Sequence, residues 1–119
     1  MFLKPLQQAR RHSAQLSRAR FRIGQPVRHK LFHYRGVIVD VDATCQASQD
    51  WYEQRTMTQP PKDRPWYHVL VHNAEHMTYV AERNLEPDLS GQPIDHPALD
   101  AYFDGLRGGL YVKDLASNH

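Results

Sequence analysis

Residues 34–42 read Tyr34-Arg35-Gly36-Val37-Ile38-Val39-Asp40-Val41-Asp42. Val37, Val39 and Val41 alternate with Ile38 and Asp40, the period of two that sends successive side chains to opposite faces of a strand. β-branched residues fill the run, and their restricted χ1 suits an extended backbone better than a helix. Gly36 inside it predicts a bulge or a close approach of backbone, as where small barrels bend.

The same period returns on both sides. Upstream, Ile23-Gly24-Gln25-Pro26 reads as a turn into a short strand from Val27 to Leu31, with Val27, His29 and Leu31 on one side. Pro26 has no N–H to give a ladder and suits a strand start or edge. Downstream, Trp66 to His72 alternates Tyr67, Val69 and Val71 against Trp66, His68, Leu70 and His72. Apolar side chains on both faces are the mark of a barrel or sandwich. Asn73-Ala74-Glu75 turns the chain back into His76–Ala81, with Met77, Tyr79 and Ala81 on one face. Glu82 to Leu85 then forms a turn that buries Leu85. Short strands joined by tight turns over residues 22–86 predict an all-β, SH3-like barrel of about five strands.

Around this centre lie three segments of different character. Residues 43–65 are polar, lack periodicity and carry the pair Trp51-Tyr52, so they read as one long loop. Residues 89–119 form a C-terminal extension with a short helix: Asp95 as cap, Pro97 in its first turn, an apolar stripe at Leu99, Tyr102, Phe103 and Leu106, and Gly108-Gly109 as stop. Leu110-Tyr111-Val112 and the tail behind them read as exposed. Residues 1–20 form a basic arm, partly helical over Leu6–Arg20.

Charge is divided unevenly. Residues 1–39 hold nine Lys or Arg and no acid, whereas the remainder holds six cations and thirteen acids. A basic front end on an acidic body can meet a polyanion with one face or serve as a solubilising arm. Apolar runs of only a few residues cannot span a bilayer. The start lacks a secretory apolar core, and the single Cys45 excludes an internal disulfide framework. Together these predict a cytoplasmic protein with no membrane partner.

No catalytic constellation stands out. Cys45 opens a polar loop with no neighbouring His, Asp40 and Asp42 read as solvated strand-end residues, and nucleotide or nucleophile-elbow motifs are missing. His68, His72 and His76 recur every fourth residue, yet on strands they do not share one row, and no cysteine ligand accompanies them. They read as ordinary histidines; neither metal nor cofactor is expected. What remains is a surface. Arg22, Arg28, His29, Lys30, His33, Tyr34 and Arg35 mix cations with aromatic side chains, a composition that suits a phosphate backbone with Tyr34 for stacking. Trp66 and Tyr67 read as core packing.

Three ordered segments carry a resemblance. FRIGQPVRHKLFHYRGVIVDVD (Phe21 to Asp42), PWYHVLV (Pro65 to Val71) and TYVAERNL (Thr78 to Leu85) resemble the motifs of the hemimethylated-DNA-binding, YccV-like family, covering residues 21–88. Gly24, Gly36, Trp66, Tyr67, His68 and Tyr79 are its motif positions here. The resemblance implies a five-stranded SH3-like barrel and no enzymatic activity. It also implies two roles. One is the binding of hemimethylated double-stranded DNA in control of the replication initiator. The other is a heat-shock role with ATP-dependent, Lon-type proteases or their substrates. The chain departs from the pattern in its basic arm, residues 1–20, and in residues 89–119.

Overall fold

A computed structural model describes residues 18–113. The basic arm therefore lies outside the described residues except for its last three, and so does the tail after Lys113. Five strands form an antiparallel sheet: β1 (Pro26–His29), β2 (Arg35–Asp42), β3 (Trp66–Val71), β4 (Met77–Ala81) and β5 (Leu85–Pro87). Their spatial order is β4-β3-β2-β1-β5. A separate hairpin pairs β6 (Gly105–Arg107) with β7 (Leu110–Val112). Two helices complete the described residues with a 3₁₀ turn at Glu82–Asn84: α1 (Gln49–Arg55) and α2 (Leu99–Tyr102).

The expected strands are present, but the sheet is not closed into a barrel. β4 and β5 are its two edges. Apolar residues on both faces arise in another way. One face gathers Phe21, Val27, Ile38, Tyr67, Val69, Val80 and Leu85 into a cluster fed by every strand of the sheet. The opposite face is covered by chain from outside the sheet. Ile94, Phe103 and Tyr111 lie over Val37, Val39 and Leu70, and Tyr52 of α1 lies against Trp66 and Ala81. Burial of each Leu, Ile or Val here contributes about 1.5–3 kcal/mol. Leu85 is fully buried behind the 3₁₀ turn, as its place in the sequence predicts.

Gly36 marks a close approach. A Cβ there would sit 2.4 Å from the Leu70 carbonyl oxygen and 2.5 Å from Val69 Cγ1. The bulge itself falls between Ile38 and Asp40, where the register with β3 slips by one. The extra residue returns Val41 to the face of Ile38, so Val41 leaves the Val37–Val39 face on which simple alternation puts it.

Three local expectations are corrected. The 43–65 segment is not one loop: Ser48 accepts a hydrogen bond from the Trp51 N–H and starts α1, with Asp50 in the first turn and Arg55 in the last. The C-terminal helix is only Leu99–Tyr102, starts at Ala98 with no side-chain cap, and ends before Gly108-Gly109, which instead turn the β6–β7 hairpin at positive φ. Leu110-Tyr111-Val112 is a strand whose Tyr111 is buried. Tyr111 Oη accepts from the Ile94 N–H at 2.8 Å, and the Tyr111 N–H donates to the Gly24 carbonyl at 2.8 Å. Gly24, at φ +90°, leaves room for that contact, because a Cβ would lie 2.0 Å from the Tyr111 carbonyl oxygen.

Candidate functional site

The basic residues of β1, β2 and their connection do not make one free cationic face. Arg35 donates to Asp88 at 2.8 Å and to the Gln92 carbonyl, and Asp88 is almost wholly buried. Burial opposes the Asp88 charge, but hydrogen bonds from Ser90 and Arg35 outweigh it and hold its pKa below the ordinary value. Arg28 lies 3.8 Å from Glu86 and also reaches His33 Nδ1 at 3.2 Å. His29 is buried; its Nδ1 accepts from the Leu31 and Phe32 N–H groups, both at 3.1 Å. Burial, with His33 nearby, lowers its pKa and keeps the ring neutral. Tyr34 is half-buried and bonds Thr78 Oγ1 at 2.7 Å, which leaves little ring for stacking on a base. Arg22 and Lys30 are exposed and, among the described residues, enter no ion pair.

His68, His72 and His76 each go a separate way. His68 Nε2 meets Asp42 at 3.2 Å, His72 Nδ1 accepts from the Asp95 N–H at 2.8 Å, and exposed His76 offers its carbonyl to His96. Asp40, Asp42 and His68 do bring three ligand atoms within 4.8 Å of one another. Asp42 Oδ2 is already engaged there, since Tyr79 Oη donates to it at 2.6 Å. Burial and this carboxylate raise the Tyr79 pKa. Tyr79 in turn stands between Trp66, at 5.2 Å between ring centroids, and Trp51, at 5.7 Å. Tyr67 reaches Glu82 at 2.6 Å from inside the core, and burial raises its pKa. Trp66 and Tyr67 are thus packing residues, as their sequence setting predicts.

A mostly apolar groove of about 640 Å³ lies along the β4 edge. Met77 to Ala81 form its floor. One wall is the β1–β2 connection with Leu31 and Phe32, braced from beneath by His29, whose ring stacks on Phe32 at 4.7 Å. The other wall is α1 and the chain after it, with Trp51, Arg55 and Met57. Phe32 is 63% and Met57 89% exposed, an unusual display of large apolar side chains on either side of one cleft. Sequence reasoning passed over these residues. The available signals were the Trp51-Tyr52 pair and the Ser48–Asp50 helix start within a polar segment.

These features define a small antiparallel β module with an apolar surface cleft. Residues 19–110 match the family model described as hemimethylated DNA-binding protein YccV like. The chain belongs to this YccV-like family, whose members are generally non-catalytic binding proteins. The match runs past the motif segments into the C-terminal hairpin, consistent with the packing of Phe103 and Tyr111 on the sheet. No helix among the described residues is long and apolar enough to cross a membrane.

Proposed function

We propose that this chain is a non-enzymatic heat-shock binding protein of the HspQ kind, acting in the cytoplasm, that modulates which substrates an ATP-dependent, Lon-type protease degrades. The observation that carries this reading is the apolar groove on the β4 edge, with Phe32 and Met57 exposed on its two sides. Such a surface offers burial to apolar side chains of another polypeptide and little to a phosphate backbone. The test is degradation by a purified Lon-type protease of several substrates, with and without this protein. A change in turnover of some substrates and not others is expected; unchanged turnover of all of them refutes the reading.

A second reading is a hemimethylated-DNA-binding regulator of replication-initiator levels. It is favoured by the family's description and by the nine cations and no acid in residues 1–39. Among the described residues Arg22 and Lys30 enter no ion pair and are exposed to phosphate, whereas Arg28 and Arg35 have carboxylate partners and His29 is neutral. Two phosphate contacts by Arg22 and Lys30 would give a log affinity–log salt slope of about −2, and contacts by the arm would steepen it. A flat salt response, or equal affinity for hemimethylated and fully methylated duplexes, refutes this second role.

A further inference from the structure

We propose that the groove receives an extended polypeptide segment as a sixth strand paired to β4, apolar along its length and acidic at the end that meets Arg55. The inference rests on the polypeptide-binding reading above and specifies its mode.

Among the described residues, the backbone of β4 is half used. Val71 N–H donates to the His76 carbonyl and Glu82 N–H to the Pro65 carbonyl. With the register Val69↔Thr78 and Tyr67↔Val80, these bonds place the hydrogen-bonding groups of Thr78 and Val80 toward β3. Those of Met77 and Tyr79 therefore face away from the sheet, along the edge that the groove follows. An unpaired edge is a template for another strand. Here the edge lies between two apolar walls, Leu31 and Phe32 on one side and Trp51 and Met57 on the other. A strand alternates its side chains between its two faces, so an added segment would feed both walls in turn. A helix laid in the groove would leave the edge groups of Met77 and Tyr79 unpaired.

Charge selects the end of the segment. Arg55 lines the groove, and among the described residues no Asp or Glu does. Lys30 and Arg83 flank it in sequence beside the lining residues Leu31 and Asn84, and Arg83 holds the Thr58 carbonyl at 2.7 Å. This electropositive margin complements carboxylates and disfavours a basic segment, including one with the composition of residues 1–17.

The probe is a fluorescein-labelled peptide, Ser-Leu-Val-Phe-Val-Asp-Asp-Ser, titrated with the full chain by fluorescence anisotropy. Its partner probe ends in Lys-Lys-Ser. Two further versions carry backbone N-methyl groups on alternate residues, in one register or the other. The expected result is saturable binding that prefers the acidic end, and that one N-methyl register abolishes while the other spares. Met77→Pro removes an edge donor at a half-exposed position where proline is tolerated. It should weaken binding roughly tenfold while the melting temperature holds. Phe32→Asp should weaken binding likewise, and Arg55→Glu should reverse the preference toward the lysine-ended peptide. Equal binding of both N-methyl registers, or an unchanged preference in R55E, overturns the proposal. The two readings fail separately. Wild-type protein that binds the peptide in one register yet leaves Lon-type degradation unchanged upholds the strand-addition site and sinks the proteolysis role. Modulated degradation with no peptide binding does the reverse.

Discussion

Gly24→Ala is expected to destabilise the protein by about 3 kcal/mol, which follows from three contributions. Gly24 sits at φ +90°, and an L side chain in the left-handed region costs about 1–2 kcal/mol. Its new Cβ would lie 2.0 Å from the Tyr111 carbonyl oxygen, a backbone atom that moves only if β7 moves. Withdrawal of β7 breaks the hydrogen bond from Tyr111 N–H to the Gly24 carbonyl, worth about 1 kcal/mol. It also loosens Tyr111 and Phe103 from Val37, Val39 and Leu70, a further loss on the order of 1 kcal/mol for partial exposure. For a domain of this size about 3 kcal/mol lowers the melting temperature by roughly 12–24 °C. Calorimetry or circular dichroism melting reads this directly, and amide exchange should show β7 losing protection first. A variant melting within about 5 °C of the parent would mean that Gly24 and Tyr111 are not in contact in solution, and the coupling of hairpin to sheet drawn here would be wrong.

Other outcomes follow from the same contacts. His29 has a lowered pKa, so the folded protein binds fewer protons than the unfolded chain once pH drops below about 6.5. Stability should therefore be full above that pH and decline as it falls toward the folded value, and His29→Gln should flatten the decline; denaturant titrations across pH 5–8 check it. Asp88 acts in the same direction at lower pH: its lowered pKa stabilises the fold above the ordinary carboxylate range and the effect is lost on acidification through the folded value. Arg35→Ala strands this buried carboxylate and should cost about 1.5–3 kcal/mol in urea unfolding; a neutral effect would free Arg35 for an outside partner. Ser48→Ala removes the cap of α1 and should cost about 1 kcal/mol, with an accompanying change in Trp51 fluorescence as the wall of the groove loosens.

The strands were legible because their signal is local. Val37 to Asp42 and Trp66 to Val71 alternate with a period that only a strand satisfies, and both became strands. The buried Leu85 and the close approach at Gly36 were legible for the same reason. The helix Gln49–Arg55 was not, because seven residues with a single buried side chain, Tyr52, carry no apolar repeat. Its position comes from packing on Trp66, far along the chain. The basic cluster was legible as composition but not as chemistry. Nothing near Arg35 in sequence announces Asp88, and nothing near His29 announces that its ring will be buried under Phe32.

Local order thus came from residue types: where strands run, which glycines are indispensable, which family motifs are present. Whether the sheet closes, what covers its second face, and which cations stay free depend on contacts between residues widely separated along the chain. Phe103 and Tyr111 on Val37 and Leu70, Asp88 on Arg35, and α1 on Trp66 are of that kind. A period of two records that both faces of a strand are apolar but not what lies against them. The groove on β4 is accordingly a product of folding: its walls come from two distant connections, and its floor exists because no strand of the described chain pairs with that edge.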